Sequence, residues 1–171
     1  MTEQIRIDAA CACKTGLVRS NNEDNFYFAG HILDRKNSGL EETLQWSGGP
    51  EAVFAVFDGM GGEASGETAA YLAAAALRDA VGRRATENFL TQVCLKANRD
   101  ICTYARRNRS PLMGSTAVML AMDGDSVEIV LSILGTAEHS CCGRGGWSKF
   151  PPIIPTRPCW SDSAQRAASR G

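Results

Sequence analysis

Two short acidic segments are the residues best suited to chemistry. Glu23 and Asp24 stand just before a short aromatic run, and Asp58 and Gly59 end a long apolar one. Carboxylates at strand ends can meet at one sheet edge, where two like charges about 4 Å apart repel by roughly 4 kcal/mol at an effective dielectric near 20. Such a cluster is stable only if a cation binds to it, one carboxylate is protonated, or the carboxylates lie farther apart. The candidate ligand atoms in these two segments are all oxygen, which favours Mg²⁺ or Mn²⁺ over Zn²⁺.

Each segment also has a purely structural interpretation. Asn22-Glu23-Asp24 is typical of a capped turn, and Asp58-Gly59 is typical of a turn that needs a glycine. The Gly-rich run of residues 59–62 similarly fits a tight strand-to-helix connection with positive φ. Taken singly, each motif favours the turn, whereas their joint presence favours a ligand site.

A rival chemistry uses the same turn. Gly59, Gly61 and Ala64 satisfy the loose dinucleotide-binding fingerprint, in which a pyrophosphate lies at a helix N-terminus. The context opposes this hypothesis, because a second helix is predicted where a βαβ unit requires a parallel strand. A phosphate-binding P-loop is excluded, since no Gly-Lys-Ser/Thr sequence follows.

Composition narrows the class of protein. The 171 residues are 44% hydrophobic and 22% charged, which predicts one globular domain. With 18 basic and 19 acidic residues, the net charge of −1 argues against a nucleic-acid partner. No apolar stretch approaches the roughly 20 residues that cross a bilayer, and the first residues do not resemble a signal peptide. We therefore expect a cytoplasmic protein with reduced thiols and no membrane partner.

Hydrophobic periodicity predicts the elements that position these residues. Alternating residues indicate strands, and an alanine-rich run followed by an amphipathic stripe indicates two helices. Thr86 is the predicted N-cap of the second helix. The predicted order is a strand at 5–13, a strand at 25–28, a long loop at 31–50, a strand buried on both faces at 52–57, a helix at 63–81, a helix from 86 to about 106, and a hairpin of 115–122 with 127–134.

Three ordered segments carry a family resemblance. Residues 16–25, 56–62 and 113–118 together resemble the PPM (PP2C-type) metal-dependent serine/threonine protein phosphatases. The resemblance covers residues 5–134, the N-terminal part of that family's domain. It implies an α+β fold, a four-layer α-β-β-α sandwich that is incomplete in this chain, with a two-metal site at one edge of the paired sheets.

The resemblance also implies roles for individual residues. Asp58 resembles the carboxylate that bridges two Mg²⁺ or Mn²⁺ ions, Gly59 the residue whose carbonyl adds a ligand, and Glu23 a ligand of one ion. Asp24 resembles a carboxylate that orients water beside the metals. Arg19 resembles the phosphate-binding arginine, whose guanidinium fork suits phosphoryl oxygens.

The implied function is hydrolysis of phosphoserine or phosphothreonine in proteins by a metal-activated water. The implied partners are phosphoproteins, the targets of a serine/threonine kinase. Two alternatives stay open: a non-catalytic binding module or inactive phosphatase fragment that keeps the acidic turns as loops, and the dinucleotide-binding domain described above.

Residues 135–171 differ from the rest of the chain. They contain five basic and two acidic residues, against 13 and 17 in residues 1–134, and four of the six prolines. We predict a phosphatase-type domain over 1–134 and an irregular, disordered or out-of-frame tail over 135–171. A neighbouring reading frame from Ser132 onward can encode the Gly-Asp-Ser-Arg turn that the family carries at this point.

This tail has physical consequences. Without the family's later aspartates, the second metal position keeps Asp58 alone, so we expect an impaired centre. We also expect apolar side chains of the sheet, among them Val53, Phe54 and Val56, to be left uncovered.

Overall fold

A computed structural model describes residues 5–35, 42–61, 65–82, 88–110, 112–124 and 126–136, and the backbone of 141–145 and 154–155. These residues form eight strands and two helices. In chain order they are β1 (Ile7–Cys13), β2 (Asp24–Phe28), β3 (Glu42–Gly48), β4 (Ala52–Gly61), α1 (Ser65–Val81), α2 (Phe89–Asn108), β5 (Met113–Asp123), β6 (Ser126–Gly135), β7 (Cys141–Gly145) and β8 (Ile154–Pro155).

Two sheets and one helical layer make up the described fold. Six strands form an antiparallel sheet in the order β2-β4-β5-β6-β7-β8, and β1 pairs with β3 in a separate two-stranded sheet. Both helices pack on one face of the larger sheet. A second helical layer is not found among the described residues. The fold is thus α+β, with part of the predicted four-layer sandwich in place.

The main core lies between the helices and the larger sheet. α1 packs against β2, β4 and β5 with a face of small side chains, which lets the helix approach the sheet closely, while α2 packs on β5 and β6. Leu77 of α1, Ile101 of α2 and Phe57 of β4 are fully buried there. This core fixes the orientation of β4 and therefore of the residues at its C-terminal end.

No helix in the described ranges is long and apolar enough to span a bilayer.

The smaller sheet covers only one edge of the opposite face. Residues of β1 and β3 pack on Phe26 and Phe28 of β2, and Trp46 of β3 meets Phe54 edge-on with ring centroids 5.6 Å apart. Farther along this face, Val56 is 56% exposed and Leu131 is 61% exposed. The face is therefore apolar, with one covered edge.

Several predicted elements are confirmed in type, and three predictions are wrong. The loop predicted over 31–50 contains β3, because Leu44 and Trp46 turn inward between outward polar residues while the flanking glycines had favoured a loop. The strand predicted as buried on both faces is buried mainly on the helical side. Val53, expected to be uncovered, is only 5% exposed beneath the helices, whereas Val56 is indeed uncovered.

Other predictions concern residues at or beyond the limits of the described ranges. The predicted cap Thr86 lies outside the described ranges, and α2 begins at Phe89 after Asn88. β6 extends to Gly135, and the segment predicted to be irregular contains β7 and β8, whose backbones continue the sheet. The out-of-frame origin of residues 133–171 stays a prediction.

Candidate metal centre

The antiparallel pairing of β2 with β4 brings the two acidic segments together. Asp24, the first residue of β2, stands directly opposite Asp58 near the end of β4. Immediately before β2, the carbonyl of Glu23 accepts a 3.2 Å hydrogen bond from the Gly59 amide. In an antiparallel ladder the pair beside a hydrogen-bonded one brings its Cα atoms to about 4.5 Å, the closer of the two spacings. The facing carboxylates therefore share one small space.

The charge of this pair is poorly compensated. Partial burial raises the pKa of the Asp24 carboxyl above its ordinary value, and both the charge of Asp58 and a hydrogen bond between the two carboxyls raise it further. The Arg19 guanidinium acts in the opposite direction and lowers this pKa. A positive charge placed between the two carboxylates would stabilise their ionised forms, which is the property expected of a cation site.

The Glu23 carboxylate takes a different direction from that of Asp24. It lies against Gly66 in the first turn of α1, so close that a Cβ on that glycine would be 2.7 Å from the Glu23 Oε2 atom. Negative charge is favourable at a helix N-terminus, where backbone N–H groups are unpaired. Glu23 thus contributes its backbone beside Gly59 and its side chain to the start of α1.

Gly59 is required by close packing. A Cβ at this position would lie 2.2 Å from the Gly66 carbonyl oxygen and 2.5 Å from that of Glu23. Two residues later, Gly61 has a φ of 150°, which residues with a side chain rarely adopt. The glycines of this turn therefore let α1 start against the end of β4, in agreement with the structural interpretation of the Gly-rich run.

Arg19 lies on the exposed connection between β1 and β2. It is the basic group whose charge acts on Asp24. Its neighbours Leu17 and Val18 are fully exposed. The structure thus brings Arg19, Asp24 and Asp58 into one region, with Glu23 and Gly59 forming its backbone wall.

Two contacts position the backbone of the acidic pair, of which the sequence predicted the first, as a capped turn, and not the second. The Asn22 Oδ1 atom accepts a 3.0 Å hydrogen bond from the Asp24 amide, and the Thr116 hydroxyl of β5 accepts one of 3.3 Å from the Asp58 amide. Asn two residues before Asp is a spacing typical of an Asx turn, so Asn22 had a local signal. Thr116 had none, because its partner lies 58 positions away.

The dinucleotide-binding alternative lacks its structural context. After α1 the chain continues into α2 and then into β5, which runs antiparallel to β4. The βαβ unit needs a parallel strand at this point. Ala64, the third position of the fingerprint, lies outside the described residues.

A cavity of about 410 Å³ opens at the other end of the sheet, near the start of β4, with Tyr27, Trp46 and Glu51 in its wall. The acidic pair does not line it. This cavity and the carboxylate chemistry are therefore separate in this fold.

The residues present supply some of the ligands that a divalent cation requires. Asp24 and Asp58 supply facing carboxylates, and the backbone oxygen of Glu23 lies beside them, a donor set suited to Mg²⁺ or Mn²⁺. No group of three or more His, Cys, Asp or Glu side chains arranged for a metal occurs within the described ranges. Because Mg²⁺ takes six oxygen ligands, water or further residues must complete the coordination.

Comparison with known proteins shows which fold the chain shares. No family model matches the chain, and no curated protein does. Among solved structures, it is similar to the Mycobacterium tuberculosis serine/threonine phosphatase PstP/Ppp, with 22% identity and a TM-score of 0.55 over 95% of this chain and 59% of that one.

A second solved structure is the catalytic domain of the serine/threonine protein phosphatase PstP in complex with two manganese ions. It has the same identity and TM-score, over 94% of this chain and 61% of its own. This chain therefore spans about three fifths of the length of the solved structures it matches. The identity is low, so the likeness concerns the fold: the chain has the α+β fold of the PP2C-type serine/threonine phosphatases, in part.

Proposed function

We propose that this fold serves metal-dependent hydrolysis of phosphoserine and phosphothreonine in proteins, with its centre at the β2–β4 edge. The observation that carries the proposal is the direct opposition of Asp24 and Asp58 across neighbouring strands, in a fold shared with phosphatases. Phosphoproteins produced by a serine/threonine kinase are the proposed substrates, and the cytoplasm is the proposed location.

Each residue of the site has a proposed task. Asp58 and Asp24 would hold Mg²⁺ or Mn²⁺ through their carboxylates, with Glu23 and the Gly59 carbonyl beside them. Asp24 is thus proposed as a ligand itself, in place of the water-orienting role that the resemblance implies, because it faces Asp58 directly. Divalent ions bound there would supply activation of the attacking water and neutralisation of charge on the phosphoryl oxygens. Arg19, exposed and close enough for its charge to act on Asp24, would bind the phosphoryl group through its guanidinium fork.

The protein supplies no covalent nucleophile in this proposal. The cysteines whose side chains are described are Cys11 and Cys13 on β1 and the buried Cys94 and Cys102 on α2, and none of them is a residue proposed to bind the cation or the phosphoryl group. Burial raises the pKa of the Cys11 and Cys13 thiols, which keeps them protonated and weakly nucleophilic near neutral pH. Direct attack by water on phosphorus is consistent with this arrangement.

A non-catalytic binding module is a second candidate. It is favoured by the ligand count, since the described residues bring together two facing carboxylates and not three metal-ligating side chains. In this case the chain would bind a cation or a phosphorylated partner without turnover.

One experiment separates these candidates. The purified chain is assayed with para-nitrophenyl phosphate and a phosphothreonine peptide, with Mn²⁺ or with EDTA, beside Asp58→Asn and the matched control Asp79→Asn on the outer part of α1. Mn²⁺-dependent hydrolysis that Asp58→Asn abolishes and Asp79→Asn preserves supports the phosphatase. Mn²⁺ binding without hydrolysis supports the module, and hydrolysis that persists in EDTA contradicts the proposal.

A further inference from the structure

The loop of residues 21–24 is tied to three different elements. Asn21 donates a 2.9 Å hydrogen bond from Nδ2 to the Glu67 carboxylate in the first turn of α1. Asn22 donates one of 3.1 Å from Nδ2 to the Cys13 Sγ atom at the end of β1. The Glu23 carbonyl accepts from the Gly59 amide of β4. The loop that carries two site carboxylates is thus fixed on the helix, on the small sheet and on the large sheet.

Asn22 is the central contact of this loop. Its side chain is buried, with only 9% of the residue exposed, and both ends of its amide are paired. The Oδ1 atom holds the Asp24 amide while the Nδ2 atom holds Cys13. A buried amide that lost either partner would leave a polar atom unsatisfied, which is destabilising. The two contacts therefore restrict the backbone from which the Asp24 carboxyl projects.

We propose that Asn22 is a positioning residue for the acidic centre, which sets Asp24 opposite Asp58 and takes its own position from Cys13. The inference rests on the proposed function in one respect. Its consequence is that cation binding depends on Asn22, which is not itself a ligand. Groups that orient metal ligands typically change metal affinity by 10–100-fold when they are removed. The Cys13 thiol acts here as a hydrogen-bond acceptor.

The alternative is that Asn22 merely fills a buried space between the two sheets. Under that alternative, Asn22→Ala would lower the stability of the whole chain without a specific effect on the Asp24 amide. The choice of acceptor at position 13 would then be unimportant. The two interpretations therefore predict different effects of Asn22→Ala on the Asp24 amide and different effects of substitutions at Cys13.

The test compares Asn22→Ala, Cys13→Ala and Cys13→Ser in the full chain, with Asn108→Ala as the matched control. Asn108 also donates from its amide, to the Tyr104 carbonyl at the exposed end of α2. Exchange of the Asp24 amide hydrogen is followed by NMR. The Phe28 amide, bonded to the His31 carbonyl at the other end of β2, is the internal reference.

We expect Asp24 to exchange at least about tenfold faster in Asn22→Ala, with Phe28 unchanged. Cys13→Ala is expected to accelerate exchange less, Cys13→Ser to restore it, and the double variant Asn22→Ala/Cys13→Ala to match Asn22→Ala alone. Unchanged Asp24 exchange in Asn22→Ala, or additive effects in the double variant, would overturn the inference. If Asn22→Ala does not fold, Cys13→Ala and Cys13→Ser decide the question.

Mn²⁺ affinity, measured by isothermal titration calorimetry, is the second readout. We expect about tenfold weaker binding in Asn22→Ala and unaltered binding in Asn108→Ala. Equal affinity in the wild type and Asn22→Ala would contradict the positioning role. A wild-type chain that binds no Mn²⁺ would refute the proposed function instead, and the exchange of the Asp24 amide would still decide whether Asn22 positions that residue.

Discussion

Asp24 and Asp58 face each other across β2 and β4 as a cross-strand pair of like charge. Neighbouring strands rarely place two carboxylates in this way, because like charges directly opposite one another are destabilising. The core does not need the pair, since Phe57 and Leu77 are buried without it. The arrangement is thus a cost to the fold that a bound cation would offset.

Asp58→Asn should therefore stabilise the metal-free chain while it removes cation binding. Loss of one negative charge relieves the repulsion, and we expect the free energy of unfolding in EDTA at pH 7 to rise by roughly 0.2–1 kcal/mol. Urea denaturation measures this change. Asp8→Asn is the control, because the Asp8 carboxylate pairs with Arg6 and its removal should give no increase. Equal or lower stability of Asp58→Asn would show that the pair is not strained.

Gly59→Ala should destabilise the chain, because its Cβ would lie 2.2 Å from the Gly66 carbonyl oxygen. Backbone on both sides must shift, and the expected cost is about 1–3 kcal/mol, typical of overpacking. Gly49→Ala is the matched control, since that glycine has nothing within 4 Å of its Cβ position. It should change stability by less than about 0.5 kcal/mol. Similar effects of both variants would refute the close contact between α1 and β4.

The uncovered sheet face should make the chain prone to aggregation. Val56, Val118 and Leu131 form a continuous row across β4, β5 and β6, and they are 56%, 48% and 61% exposed. Replacement of all three by threonine keeps β-branching at the two valines, introduces it at Leu131, and removes apolar surface. We expect lower binding of a hydrophobic dye and a smaller aggregated fraction in size-exclusion chromatography.

Val130→Thr provides the contrast on the helical face of the same sheet. Val130 is fully buried, so its replacement places a hydroxyl in the core and should cost about 1–3 kcal/mol. Val118→Thr should leave stability nearly unchanged. Equal destabilisation of the two single variants would show that the face carrying Val118 is covered.

The coding DNA should show a change of reading frame near Ser132. Residues 135–171 carry a basic, proline-rich composition unlike that of residues 1–134, and the neighbouring frame can encode Gly-Asp-Ser-Arg. Sequencing across codons 132–140 checks this directly. Codons that do not spell this turn in the neighbouring frame would rule out the hypothesis.

Much of the fold could be predicted from local patterns. Alternation over residues 5–13 and the stripe of Val93, Ala97 and Ile101 are properties of single segments, and period 2 or 3.6 is visible without any knowledge of the partners. β3 was missed because Leu44 and Trp46 alternate within a segment bounded by glycines. Its strand character depends on packing over Phe26 and Phe54, which no local pattern contains.

The sequence by itself determined that two acidic segments stand at the ends of two predicted strands, and so that a carboxylate cluster was possible. Tertiary structure decided which carboxylates face each other, that the Glu23 carboxylate meets α1, and that Asn22 and Thr116 hold the backbone of the pair. The reason is physical: residue type and periodicity act within one segment, whereas the register between β2 and β4 is set by the core that forms around both.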